Sequence, residues 1–241
     1  MRPPHGGRLA PQEAAAAMVD DVDRVAAARR RRPDDARRTL AGRAALRLLV
    51  LTRTGRPLAD APELVIERRC EDCDSPHGRP RTAGLSLSTS GSGERVLVAV
   101  GPEEACVGVD VETATPAALE RSPGLDEFTL HPRERDAVAR AADPGRARLQ
   151  RWVEKEAVLK AAGLGLRLPP HEVLLAPADA TTSSHHRSDG QLSWRAVLAA
   201  PVAAVARLSV ADLPGDGTHH RAVAAVRPHP VEIVGPGALG S

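Results

Sequence analysis

The sequence predicts an α+β fold of two similar lobes, and three features predict it. Helix-period runs rich in Ala, Leu and Arg occur in both halves of the chain. Each is followed by short stretches in which apolar and polar residues alternate with the period of a strand. At 241 residues and 42% hydrophobic content, the chain can bury a sizeable core, in one large domain or two small ones.

In chain order, residues 1–11 are Pro/Gly-rich and expected to be disordered. From Gln12 to Arg32, alanines with Met18, Val22 and Val25 at helical spacing predict one amphipathic helix ending in an arginine run. Pro33-Asp34-Asp35 opens a second helix, its proline suited to the first turn and its carboxylates to the N-terminal dipole, and Gly55 ends it. Glu63–Arg68 alternates like a strand, and so does Leu85–Ser90 before a small-residue turn at Gly91. Arg95–Gly101 and Cys106–Glu112 are apolar strands, the first closing an N-terminal lobe of residues 12–104 and the second opening a lobe of residues 105–227. Helices are expected over Arg133–Ala142 and then up to the breakers Gly163 and Gly165. Four strands follow, HEVLLA, LSWRAVLA, AAVARLSVA and HRAVAAV, with polar turns at Thr181–Gly190 and Pro214–Gly217. The Pro/Gly-rich tail, residues 228–241, is expected to be disordered.

Composition narrows the functional classes. With 33 basic and 31 acidic residues the formal charge is only +2. Three aromatic residues, Phe128, Trp152 and Trp194, leave a nucleic-acid binder without stacking platforms. No run of 18 apolar residues appears, and three cysteines suit a reducing compartment, so a cytoplasmic protein is expected. Cys70, Cys73 and His77 offer three ligands, one short of a tetrahedral zinc site, with His185, His186 or Cys106 as candidates for the fourth. Sequence alone favours two free thiols beside a turn and no zinc.

Two stretches carry most of the chemistry. The chain's only lysines, Lys155 and Lys160, lie in RWVEKEAVLKAAGLG, Arg151–Gly165. On a helix Trp152, Glu156 and Lys160 share one face, while Lys155 turns off it toward solvent or a protein partner. Upstream, Val107–Glu112 reads VGVDVE, and strand alternation puts Asp110 and Glu112 side by side. Paired carboxylates repel unless a cation joins them, and hard oxygens completed by water and substrate phosphates are the usual way to hold Mg²⁺. Taken singly, the helix also fits a solvated face with an i,i+4 ion pair, and the strand an acidic surface edge.

VGVDVE followed by WVEKEAVLK resembles the signature of the 4′-phosphopantetheinyl transferases. Over roughly Arg24–Leu175 the chain looks like the monomeric, two-lobed type that activates peptide and polyketide synthases. The resemblance implies two lobes related by a pseudo-two-fold, with the active site in the cleft between them. It implies Mg²⁺ held by Asp110, Glu112 and Glu156, with Lys160 on the phosphates of coenzyme A and Glu156 also a candidate base. Arg38 and Thr39, and less directly Arg32 and Arg43, match positions that approach coenzyme A. Arg79, in HGRPR, matches a basic residue that meets the 3′-phosphate. Ser88-Thr89-Ser90-Gly91 stands where the family usually has Ser-His-Ser-Gly, so Thr89 departs from the pattern at a ligand position. Glu134, in FTLHPRE, is an expected active-site neighbour. The implied partners are apo acyl or peptidyl carrier proteins. A second reading keeps the fold as a non-catalytic module that binds coenzyme A or a carrier.

Overall fold

The structure, a computed structural model, describes residues 11–120, 124–177, 192–215 and 217–235. Thr181–Gly190 with His185 and His186, residues 1–10 and residues 236–241 of the expected tails lie outside the described residues. The chain is mixed helix and antiparallel sheet, as an α+β fold requires. In place of one helix over Gln12–Arg32 there are two, α1 (Pro11–Ala17) and α2 (Asp21–Ala28). Asp20 divides them: its carboxylate accepts the Asp23 N–H at 2.8 Å as the N-cap of α2 and also pairs with Arg47. α3 (Pro33–Thr54) starts at its proline and stops at Gly55, whose φ of 67° is the left-handed conformation glycine accepts.

Of the strand expected over Glu63–Arg68, only Glu67 pairs, with Arg81, and Leu58–Glu63 forms a 3₁₀ turn. Arg68 is buried beside Arg43, Arg47 and Asp23, so its alternation reflects a charged cluster and not a sheet face. β1 (Arg81–Thr82), β2 (Leu85–Ser92) and β3 (Arg95–Pro102) form an antiparallel sheet in that order. α3 covers it, packing Leu46, Val50 and Leu51 against Leu87, Val98 and Val100. Each such aliphatic side chain contributes about 1.5–3 kcal/mol when fully buried.

β4 (Gly108–Thr113) begins a second sheet, and α4 (Pro116–Leu119), α5 (Leu125–Thr129), α6 (Pro132–Ala139) and α7 (Pro144–Ala162) follow it. Then come β5 (Leu174–Leu175), β6 (Trp194–Ala199), α8 (Ala203–Ala206), β7 (Ser209–Asp212) and β8 (His219–Ala225). HEVLLA thus yields only two strand residues, and the first half of AAVARLSVA is a helical turn. The sheet order is β4-β8-β7-β6-β5, antiparallel throughout. α7 lies across it, burying Val153, Ala157, Val158 and Leu159 with Val210, Ala222 and Ala224. No helix among the described residues is long and apolar enough to cross a membrane.

The two sheets meet through side chains. Ser86, Ser88, Ser90 and Ser92 alternate along β2, so all four hydroxyls face the free edge of β4. Ser86, Ser88 and Ser92 accept the N–H groups of Val107, Val109 and Thr113 at 2.8, 3.0 and 3.1 Å. A strand edge that β8 leaves unpaired is therefore satisfied by hydroxyls, which fixes β2 against β4 without merging the sheets.

Candidate active site

Gly108 brings the two signature stretches together. A Cβ at Gly108 would meet the Ala157 carbonyl oxygen at 2.1 Å and the Ala161 nitrogen at 2.4 Å. With no side chain there, and only alanines opposite, the backbone of α7 rests on β4. Asp110 and Glu112 continue the Gly108 face of the strand, and Glu156 and Lys160, one turn apart, descend to it.

Lys160 Nζ donates to Asp110 Oδ1 at 2.5 Å and to Ser90 Oγ at 3.2 Å. Ser90 Oγ donates to the same carboxylate oxygen at 2.6 Å, and Ser92 Oγ to Glu112 Oε2 at 2.7 Å. Asp110 Oδ2 and Glu156 Oε1 are buried and have no hydrogen-bond partner. Burial first, then the charge of Asp110, pushes the Glu112 carboxyl above the usual range, with the Ser92 hydroxyl opposing. Glu156 is also pushed up, first by burial, then by Asp110 and Glu112 against the pull of Lys160. Three carboxylates thus face one ammonium, with two acceptor oxygens unsatisfied. That hard-oxygen donor set, two positive charges short, fits Mg²⁺. The carboxylates stand apart: among the described residues the one trio of candidate ligand atoms lying within 4.8 Å of one another is Cys70, Cys73 and His77.

Beside the carboxylates opens a cleft of about 910 Å³. Arg38, Thr39 and Gly42 of α3, Ser88–Gly91 of β2 and the Arg79–Arg81 turn form one wall, and Lys160 with Gly163–Arg167 forms the other. Arg38 is held at 2.6 Å by Asp35 and at 2.7 Å by the Gly93 carbonyl, and it passes over Gly91, where a Cβ would meet its Cδ at 3.0 Å. Thr39 donates to the Asp35 carbonyl at 2.8 Å and accepts from Arg30 at 3.1 Å. Arg79 joins the two walls, donating to Ser86 Oγ at 3.2 Å and to the Ala161 carbonyl at 3.3 Å. Thr89 projects from the side of β2 opposite the serines, between buried Leu87 and Gly91. Arginines outnumber carboxylates on these walls, so the cleft is an anion site beside a cation site.

Residues 106–211, from the start of β4 through most of β7, match the family model of the 4′-phosphopantetheinyl transferase superfamily. That segment is therefore similar to this superfamily. A solved structure of holo-[acyl-carrier-protein] synthase from Neisseria meningitidis aligns at 17% identity, over 49% of this chain and 94% of its own length, with a TM-score of 0.37. Among curated proteins no sequence matches the chain.

The matched segment supplies the carboxylates and Lys160, while Arg38, Thr39, Arg79, Ser88 and Thr89 come from outside it. All five line the cleft. Arg43 also lines the cleft while pairing with Asp23 at 2.5 Å, whereas Arg32, at the N-cap position of α3, is not among the lining residues. Lys155 corrects the sequence reading most sharply. It is wholly buried, donating to Glu134 Oε2 at 2.5 Å and to the Thr129 carbonyl at 2.8 Å. Burial pulls its ammonium below the ordinary range, with Glu134 opposing. Glu134 is accordingly a buried brace that also closes the capping box of α6, not a lining residue of the cleft. Sequence reasoning missed Ser90 and Ser92 as carboxylate partners, although their period-2 spacing with Ser86 and Ser88 was a usable signal. It also missed Arg30, Arg68 and Arg167 on the cleft wall; nothing in their spacing marks them.

Proposed function

We propose that the chain transfers the 4′-phosphopantetheine arm of coenzyme A to a serine of an apo acyl or peptidyl carrier protein, releasing 3′,5′-ADP. The observation that carries this is the cluster of Asp110, Glu112, Glu156 and Lys160 at the edge of an arginine-lined cleft. Asp110, Glu112 and Glu156 would hold Mg²⁺, which when bound neutralises charge on the pyrophosphate oxygens. Lys160, on its flexible stem, moves its point charge between Asp110 and the phosphates. Arg38, Thr39 and Arg79 hold the 3′-phosphate end, with Ser88 and Thr89 on the cleft floor. The carrier serine oxygen forms a bond to the β-phosphorus as the bond to the leaving 3′,5′-ADP oxygen breaks. The serine proton passes to the Glu156 carboxylate, directly or through a water.

In this reading residues 12–104 and 105–227 are two lobes of a cytoplasmic monomer, with the cleft between them. The test incubates the full chain with Mg²⁺, coenzyme A and purified apo-carriers and looks by mass for the phosphopantetheine addition. Addition to at least one carrier, lost on omitting either coenzyme A or divalent metal, is expected. A chain inert on acyl and peptidyl carriers alike, yet binding coenzyme A, would replace this reading with the non-catalytic module that Thr89 otherwise suggests.

A further inference from the structure

The loop Arg69–Gly78 is exposed over most of its length and has no apolar core to shape it. It is nonetheless closed by its own hydrogen bonds. Asp74 N–H reaches the Cys70 carbonyl at 3.0 Å, Cys70 N–H the Ser75 carbonyl at 2.9 Å, and His77 N–H the same carbonyl at 2.8 Å. Asp74, directly after Cys73, takes a φ of 60°, and Gly78 is packed so closely that a Cβ would meet the Arg69 carbonyl oxygen at 2.1 Å. The backbone is thus bent so that Cys70, Cys73 and His77 present their sulfur and nitrogen atoms within 4.8 Å of one another, with Cys73 Sγ 3.0 Å from His77 Nε2. Three donors converging in an exposed loop bury too little apolar surface to account for that order.

We propose that Cys70, Cys73 and His77 bind one Zn²⁺ ion, with water as the fourth ligand, and that the ion pins the rim of the cleft. Two thiolates and an imidazole select a borderline-soft, tetrahedral ion over Mg²⁺ or Ca²⁺. The neighbouring carboxylates are otherwise engaged: Glu71 pairs with Arg81 and Arg167, Asp72 with Arg167, and Asp74 with Arg69. Cys106 is turned to the Glu103 carbonyl. Among the described residues that leaves the fourth position to solvent, which the exposure of Cys73 and His77 admits. The loop links the two walls, because Glu71 and Asp72 meet Arg167 beyond the end of α7 and Gly78 leads into Arg79. His77 decides between this reading and a pair of free thiols, since its ring has closed onto the sulfurs.

The test uses the reduced full chain. Elemental analysis after expression with zinc is expected to find about one equivalent per chain, and Co²⁺ titration to give thiolate-to-cobalt absorption with the visible bands of a tetrahedral ion. Cys70→Ser and Cys73→Ser, on an exposed loop, should stay folded by circular dichroism and lose both signals, whereas Cys106→Ser keeps them. Hydrogen exchange in residues 69–79 should slow when Zn²⁺ is added to the metal-free chain, and not in Cys73→Ser. No cobalt–thiolate band, a metal content unchanged in Cys73→Ser, or a signal lost in Cys106→Ser would each overturn the site. These readouts are independent of transferase activity.

Discussion

Helix α7 carries two lysine–carboxylate pairs with the same 2.5 Å contact, Lys155 with Glu134 and Lys160 with Asp110, and they are built for opposite ends. The first is closed. Lys155 is wholly buried, and Glu134 accepts from Lys155, from the His131 N–H at 2.9 Å and from the Leu175 N–H at 3.2 Å, so both oxygens are satisfied. The second is open. Lys160 is part exposed on the cleft, Asp110 keeps an oxygen without a partner, and so does Glu156. Identical chemistry thus reads as a brace where every acceptor is satisfied and as a site where acceptors are left over.

The largest expected effect breaks the closed pair. Removing one partner of a buried ion pair leaves an uncompensated charge and costs about 3–5 kcal/mol. Lys155→Ala should lower the urea midpoint by that equivalent, whereas Glu156→Gln should stay within about 1 kcal/mol of wild type, because it removes a like charge from the open cluster and leaves the Lys160–Asp110 pair in place. Equal midpoints for the two variants would erase the distinction between brace and site.

A second closed cluster on α7 sharpens the comparison through pH. Glu154 and Asp212 share Arg195, at 2.8 and 2.9 Å, and Arg151 also grips Glu154. Burial would raise the Glu154 carboxyl, but Arg195 and then Arg151 hold it down to about 2. Asp212 is pushed up to about 7, by burial and then by the charge of Glu154. Between its unfolded value of 3.8 and about 7, the folded chain holds a proton that the unfolded chain has lost. Stability contributed by that proton is present below the lower value and is lost as pH rises toward the upper one. Asp212→Asn should flatten the fall in urea midpoint between about pH 4.5 and pH 7.5; an unchanged slope would place the proton elsewhere.

Breaking the open pair should move rate and not stability. Asp110→Ala and Glu156→Gln are each expected to lose at least about 2.7 kcal/mol of transition-state stabilisation, roughly a hundredfold in carrier modification. Their urea midpoints should hold or rise, because each removes a like charge from a crowded cluster. Lys160→Arg should be nearly as slow as Lys160→Ala, a planar guanidinium being a poor replacement for an ammonium wedged between Asp110 and Ser90. Turnover near wild type in Asp110→Ala or Glu156→Gln would sink the cation site.

The open pair was legible in the sequence and the closed one was not, for a physical reason. Asp110, Glu112, Glu156 and Lys160 lie on two regular elements whose periods say which side chains share a face, and Gly108, Ala157 and Ala161 are small where those elements touch. Lys155 could be placed off that face, but its partner comes from α6, whose docking no local period encodes. The same limit hid Arg68, whose alternation with its neighbours imitates a strand while its surroundings are Arg43, Arg47 and Asp23. By contrast, the break between α1 and α2 was available in Asp20-Asp21, a capping residue followed by first-turn carboxylates, and the alanine pattern outweighed it.

The smallest effect expected concerns Thr89, beyond both pairs, at the arginine end of the cleft. Its neighbours along β2 on that face are Leu87, sealed in the core, and Gly91, lying under Arg38, so Thr89 is the first side chain on the strand that can face a ligand beside α3. A hydroxyl there offers one neutral hydrogen bond, whereas an imidazole can offer a charged N–H. The difference is on the order of 1 kcal/mol, several-fold in affinity. Because Arg38 and Arg79 already line this end, the wild type should be active but should discriminate weakly between coenzyme A and its 3′-dephospho form. Thr89→His should raise that discrimination several-fold in kcat/KM and leave kcat nearly unchanged, since the 3′-phosphate is remote from the bond that breaks. Equal kcat/KM ratios for the two donors in wild type and Thr89→His would show that this position does not read the 3′-phosphate, and would leave that task to the arginines alone.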